Sequence, residues 1–204
     1  MLRYIAPAAA VTAALLLAGT YYVTQSGSDD QFAECRASAV AGGAKIGGPF
    51  ELINGDGETV TEADVLKEPA LIYFGYTFCP DVCPFDVSRN ADATDIVLAG
   101  GQSVTPVFVS IDPKRDTPEA VKDYAANMHD KMIGLTGSDA QVKQASQAYR
   151  TYYKVQPGDD EFYLVDHSTF SYLMLPEHGF VEFFRRDVSA EKMAEQISCY
   201  IENA

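Results

Sequence analysis

The 204-residue chain contains no tryptophan, only three histidines and only four cysteines. Four cysteines are too few to staple a miniprotein in place of an apolar core. Cations are scarce as well. There are 15 Lys+Arg against 29 Asp+Glu, a formal net charge of −14, and no run of Lys or Arg concentrates the few that exist. Recognition of a phosphate polymer needs clustered positive charge, so a nucleic-acid partner is excluded. Internal repeats and low-complexity blocks are also absent. A mostly disordered chain is excluded too, because 47% hydrophobic and 22% charged residues is ordinary globular composition. A chain of this length can bury one proper core.

What is present begins with an uncharged run, Tyr4 to Val23, with Arg3 the only charge before it. Twenty residues make about 30 Å of helix, the thickness of a hydrocarbon core. Pro7 lies near the start, where a helix tolerates it, and Tyr21 and Tyr22 close the run as interfacial aromatics do. The positive-inside rule keeps residues 1–3 cytoplasmic and exports the rest. The run reads as a retained signal anchor over residues 4–23. A cleaved signal peptide is the alternative. Leu17-Ala18-Gly19 resembles the start of a lipobox, but Thr20 stands where that motif needs cysteine. Residues 24–44, with Ser26-Gly27-Ser28 and Gly42-Gly43, read as a tether. The exported part keeps every acidic residue and loses only Arg3, so a basic partner is steered toward it and anionic lipid repels it.

Residues 45–204 alternate between two hydrophobic periods. Phe50 to Ile53, the turn Asn54-Gly55-Asp56-Gly57 and Thr59-Val60 predict a β-hairpin. Ala70 to Tyr76 is a continuous apolar run, as expected of a buried central strand. Val104 to Ile111 predicts a second, with Pro106 awkward inside it. Helices are expected over Phe85 to Leu98, from the Thr117 cap to Met128, over Ser138 to Tyr149, and from the Ser189 cap to Ile201. Phe162 to Val165, Phe170 to Leu175 and Phe180 to Phe184 read as strands. Strands alternating with helices, followed by a late hairpin, predict an α/β three-layer sandwich with a mixed central sheet. A thioredoxin-like domain has this shape, as do other α/β folds.

Phe78-Cys79-Pro80-Asp81-Val82-Cys83-Pro84 follows the strongest buried strand and precedes a helix. Ligands bind at such carboxyl-end loops. Thiols four residues apart share one side of a first helical turn, and the helix N-terminus favours their thiolate form. The pair can cycle to a disulfide, act as a dithiol reductant, or chelate a soft metal. A third ligand would decide among these. His129 ends a helix and suits a C-terminal cap. His178 lies in a Pro-Glu-His-Gly turn and reads as solvated. His167, in Val165-Asp166-His167-Ser168, fits a packed strand residue as well as a ligand.

Several stretches, in order, resemble the SCO/SenC family of copper chaperones. They are Tyr73-Phe74-Gly75-Tyr76-Thr77-Phe78-Cys79-Pro80-Asp81-Val82-Cys83-Pro84, Phe108 to Glu119 (FVSIDPKRDTPE), Gly134-Leu135-Thr136-Gly137, Tyr149-Arg150-Thr151-Tyr152-Tyr153 and Asp166-His167-Ser168. The resemblance runs from about Gly47 to the C-terminus. It implies a thioredoxin-like fold behind one N-terminal transmembrane helix. It also implies Cys79, Cys83 and His167 as ligands of one copper, Cu(I) or Cu(II), and a role in assembling the binuclear copper (CuA) site of cytochrome c oxidase subunit II. Asp81, Asp112 and Asp166 would support the ligands, with a carboxylate orienting His167 or receiving a proton; Asp166, the neighbour of His167 along a strand, could equally point to the opposite face.

Two thiolates and an imidazole suit Cu(I) and hold Cu(II) with an added weak ligand, whereas structural zinc would want a fourth protein ligand. Both cysteines must be reduced to bind, so a reversible Cys79–Cys83 disulfide is an inactive form. A thiol–disulfide oxidoreductase that reduces the cysteines of the oxidase site is the competing function, and a thiol peroxidase a third. The lack of a Trp-Cys-x-x-Cys motif, the longer spacing, and His167 in place of a facing proline count against a plain oxidoreductase. Cys35 and Cys199 are expected to form a structural disulfide in an oxidising compartment. The expected location is the bacterial inner membrane with the domain in the periplasm, or the equivalent mitochondrial topology. Another copper chaperone or a thiol reductant would serve as an upstream partner.

Overall fold

A computed structural model describes residues 15–21, 31–36, 45–159 and 162–204. Most of the expected span lies outside these. Residues 15–21 are helical, with Leu15, Leu16, Leu17 and Tyr21 exposed. Among the described residues no helix is long and apolar enough to cross a membrane. Of the expected tether, residues 31–36 form a turn in which Phe32 and Cys35 are buried.

The domain from residue 45 onward is built on a seven-stranded mixed sheet. Its strands are β1 (Glu51–Asn54), β2 (Thr59–Thr61), β3 (Ala70–Gly75), β4 (Thr105–Ser110), β5 (Ile133–Thr136), β8 (Ser171–Leu175) and β9 (Gly179–Phe184), in the order β2-β1-β5-β4-β3-β8-β9. Strands β3, β4 and β5 run parallel, and the rest pair antiparallel. A separate ribbon joins β6 (Tyr153–Val155) to β7 (Val165–His167). The helices are α1 (Glu62–Val65), α2 (Val82–Ala99), α3 (Pro118–Met128), α4 (Asp139–Ala148) and α5 (Ala190–Glu202).

Every residue of β3 and β4 is buried, as unbroken apolar runs require when helices cover both sheet faces. On one face Tyr73 meets α2 through Asp86, and Phe108 stacks on Tyr124 of α3 at 4.5 Å between ring centroids. Helix α5 packs on α2. On the other face Phe74 meets Tyr149, which caps α4, at 5.3 Å. The mixed sheet with helices on both sides is therefore as expected. Pro106 fits because backbone N–H groups alternate sides along a strand. Thr105 and Ile111 donate toward β3, to Pro69 and Gly75, so the missing Pro106 donor faces β5, whose pairing begins only at Val107.

Three strands depart from the expectation. Strand β5 is unexpected, because Gly134 interrupts a short apolar run; a Cβ there would lie 2.2 Å from the Val121 carbonyl oxygen. Bare backbone lets α3 lie directly on the sheet. Strand β6 is also unexpected. The strand expected over Phe162 to Val165 is instead Val165–His167, because the ribbon's pairing starts at Val155↔Val165. Phe162 and Leu164 are exposed rather than core.

Candidate metal centre

Strand β3 ends at Gly75, and the next six residues turn the chain into α2, which begins at Val82. The turn is anchored by Asp116, a carboxylate with no exposure at all. It accepts the Thr77 N–H at 3.0 Å, the Thr77 hydroxyl at 2.6 Å and the Ser110 hydroxyl at 2.6 Å. Burial raises its pKa above the ordinary carboxylate value, and these hydrogen bonds oppose the rise. Cys79 follows, its N–H donating to the Tyr76 carbonyl at 3.2 Å.

Helix α2 begins at Val82, earlier than expected, so Cys83 lies inside its first turn. Asp81 occupies the cap position but its side chain caps nothing. The Cys79 sulfur takes that role, accepting the Cys83 N–H at 3.3 Å. Pro84 is the third helical residue, where its missing N–H costs no intrahelical bond. Cys83, Asp86, Val87, Asn90, Ala93, Thr94 and Val97 are buried. Their i, i+3 and i+4 spacing makes one core-facing stripe, and Cys83 is its N-terminal end. The Cys83 sulfur sits over Gly75, where a Cβ would come within 2.9 Å of it.

The third donor arrives on the ribbon. His167, opposite Tyr153 in the register, brings Nε2 to 3.3 Å from the Cys83 sulfur. Nδ1 lies 2.8 Å from the Ser168 carbonyl oxygen. A carbonyl can only accept, so Nδ1 carries the proton and the Nε2 lone pair faces the sulfurs. The rings of Tyr73 and Tyr76 stand edge-on to the imidazole at 6.1 and 5.9 Å. The Tyr76 hydroxyl accepts the Val165 N–H at 3.3 Å, tying β7 to the cysteine turn. The donor atoms of Cys79, Cys83 and His167 all lie within 4.8 Å of one another.

The two thiols are electrostatically unequal. The Cys79 pKa is lowered, chiefly because its thiolate accepts a hydrogen bond from Cys83; the backbone N–H groups of Asp81 and Cys83 add to this, against the opposing effect of burial. The Cys83 pKa is raised, by donating that bond and by burial. The pair therefore holds one proton, on Cys83, with Cys79 the ready nucleophile or first ligand.

The expected supporting carboxylates lie elsewhere. Asp81 is exposed at the start of α2. Asp112 is buried, but it binds Arg115 and the Tyr163 hydroxyl, each at 2.5 Å. Asp166 is exposed and bonds Gln156 on the far face of the ribbon, as strand alternation dictates. The Ser168 carbonyl, not Asp166, orients His167. His129 caps α3, close to Asp95, and His178 is exposed in the β8–β9 turn. Cys79 and Cys83 are free thiols, whereas Cys35 and Cys199 are disulfide-bonded. Sequence reasoning missed Gly75, Tyr73, Tyr76, Asp116 and Ser168. Only Gly75 carried a local signal, a glycine inside an apolar run.

An α/β domain that gathers two thiols and an imidazole beyond its central strand has the donor set to hold a soft metal, and a thiol pair able to close to a disulfide. The SCO1/SenC family model matches residues 38–202, and the chain belongs to that family. It is 48% identical over 173 residues to Protein SenC of Rhodobacter capsulatus, covering 85% of this chain and 78% of that one. It is 40% identical over 159 residues to the mitochondrial SCO1 homolog of Homo sapiens, covering 76% of this chain and 53% of that one. Arabidopsis thaliana ScoI, solved with copper bound, superposes with a TM-score of 0.75 at 41% identity, over 78% of this chain and 99% of that one. Yeast Sco1, also solved with copper bound, gives 0.73 at 34% identity, over 78% and 90%.

Proposed function

We propose that this chain is a membrane-anchored copper-binding assembly factor that delivers copper to the CuA site of cytochrome c oxidase subunit II, or prepares that site. The observation that carries the reading is the convergence of Cys79, Cys83 and His167 within 4.8 Å. Bonds of about 2.0–2.3 Å, typical of first-row metal ions with nitrogen and sulfur, let one ion reach all three donors after slight closure. Copper is the cargo. The sulfurs supply soft donors for Cu(I), and the imidazole adds the nitrogen that Cu(II) favours.

The chain's own groups prepare the site in a definite order. Cys79, already biased toward thiolate, engages first. Cys83 must give up its proton as it becomes the second ligand, so loading releases protons. Ser168 holds the imidazole in the tautomer that offers Nε2. The relatives solved with copper, Arabidopsis thaliana ScoI and yeast Sco1, support the choice of metal. In this reading residues 4–23 anchor the chain in the bacterial inner membrane, or its mitochondrial equivalent, and the domain faces the periplasmic side. Another copper chaperone or a thiol reductant acts upstream.

Anaerobic titration of the reduced protein with Cu(I) and Cu(II) tests this, with Cys79, Cys83 and His167 each replaced by alanine. One copper per chain is expected, with both oxidation states weakened by either cysteine change and Cu(II) weakened by His167→Ala. Wild-type binding of both states in His167→Ala would defeat the reading. A second reading, reduction of the oxidase-site cysteines, is favoured by the unequal thiols. It predicts disulfide exchange that needs Cys79 and Cys83 but tolerates His167→Ala.

A further inference from the structure

We infer that Arg115 is a positioning residue that presents His167 to the sulfur pair, and so sets how strongly the site prefers Cu(II) over Cu(I). The inference rests on reading Cys79, Cys83 and His167 as the copper donors, and deepens that reading.

Arg115 lies in the turn after β4, its side chain 9% exposed. Its guanidinium is 3.6 Å from the Tyr163 ring centroid, 4.9 Å from Phe78 and 5.6 Å from Tyr76. Its Nε donates to one Asp112 oxygen at 2.5 Å, and the Tyr163 hydroxyl donates to the other at 2.5 Å. These contacts reach two separate parts of the centre. Phe78 immediately precedes Cys79, and Tyr76 opens the same turn. Tyr163 lies four residues before His167, on the segment that enters β7. One planar cation therefore clamps the sulfur-bearing turn to the imidazole-bearing strand.

The clamp matters because the backbone does little of this work. Strands β6 and β7 pair with each other, and neither is hydrogen-bonded into the seven-stranded sheet. Beside the ribbon is a cavity of about 670 Å³, lined in part by Asp112, Tyr153, Val155 and Tyr163, so the ribbon is not packed tightly on that flank. Among the described residues the ribbon is otherwise tied by the Val165 N–H bond to Tyr76, whose own ring touches Arg115, and by the His167–Cys83 contact itself. Lysine would keep the charge but not the stacked plane or the fixed Nε direction. Cys83, by contrast, is held by the buried stripe of α2, and the turn that carries Cys79 is held independently by Asp116 through Thr77. Weakening the clamp should free the nitrogen donor and leave both sulfur donors in place.

The test uses the full reduced chain with Arg115→Lys and Arg115→Gln, beside wild type and His167→Ala. Circular dichroism monitors folding. Cu(II) is followed by its visible bands and by nitrogen coupling in electron paramagnetic resonance, and Cu(I) by chelator competition. Both arginine variants should lose Cu(II) affinity by about 10- to 100-fold, the usual effect of removing a partner that orients a ligand. Nitrogen coupling should weaken while Cu(I) binding stays at wild type. Full nitrogen coupling and Cu(II) affinity in folded arginine variants, while His167→Ala loses both, would overturn the inference and spare the copper reading. Equal loss of Cu(I) and Cu(II) would overturn it too, since Arg115 would then support the whole centre. Wild-type binding in His167→Ala would remove the copper reading and this inference with it. Should the arginine variants not fold, Tyr163→Leu removes the closest stacking ring and is read in the same way.

Discussion

A single methyl group at Gly75 would strike the centre from below. The added Cβ would lie 2.9 Å from the Cys83 sulfur, 2.9 Å from Tyr73 Cε1 and 3.0 Å from Phe108 Cε2. None of these can retreat easily, since Cys83 and Phe108 are wholly buried and Tyr73 is 1% exposed. Gly75→Ala should cost about 1–3 kcal/mol, the usual penalty of overpacking, and should weaken copper binding by displacing the sulfur. Urea unfolding and copper titration of the one variant check both, and wild-type values in both would refute the account. The thiols themselves predict a pH dependence. Below the ordinary thiol range the unfolded chain binds two protons and the folded pair one, so stability rises with pH. Above it the unfolded chain binds none while Cys83 keeps its proton, so stability falls. The Cys79–Cys83 pair of the reduced, metal-free protein should therefore stabilise most near pH 8.5, roughly the free-thiol pKa. Urea midpoints across pH 6–10, compared with a Cys79→Ser, Cys83→Ser variant, should show that maximum only where the thiols remain.

At the scale of elements, the decisive contact is α3 on β5. With the Val121 carbonyl oxygen 2.2 Å from where a Gly134 Cβ would stand, Gly134→Ala must push the helix off the sheet. The loss should exceed that of Gly75→Ala, because the obstacle is backbone; comparing the two thermal midpoints tests the order. The same contact explains what could be read in advance. Strands β3 and β4 were legible because burial on both faces demands unbroken apolar runs. Helix α3 was legible because Thr117-Pro118-Glu119 carries its cap, its proline and its early carboxylate. Strands β5 and β6 were not, since four and three residues owe their state to partners distant in sequence. The sulfur half of the centre was likewise legible, because both thiols sit in one local motif at a strand-to-helix turn. The imidazole half needed the family resemblance, since β7 reaches the sulfurs only through tertiary contacts. The supporting residues were hidden for the same reason: Asp116 lies 39 positions from Thr77, which it holds, and the orienting group beside His167 is a main-chain carbonyl.

For the whole molecule, the four cysteines divide into two chemistries. Cys79 and Cys83 are free thiols, while Cys35 and Cys199 are disulfide-bonded. A bond between Cys35 and Cys199 would close a loop around nearly the entire domain, the geometry in which a crosslink most restricts the unfolded chain. The reversible pair must open to take up metal, whereas a structural bond must survive the same reductant. Mild reduction followed by alkylation and peptide mapping should label Cys79 and Cys83 and leave Cys35 and Cys199 joined. The variant Cys35→Ser, Cys199→Ser should lose about 2–5 kcal/mol yet bind one copper with the wild-type spectrum. A changed spectrum would mean that the crosslink shapes the metal centre rather than merely holding the fold, and recovery of Cys35 and Cys199 as alkylated thiols from the untreated protein would remove the crosslink altogether.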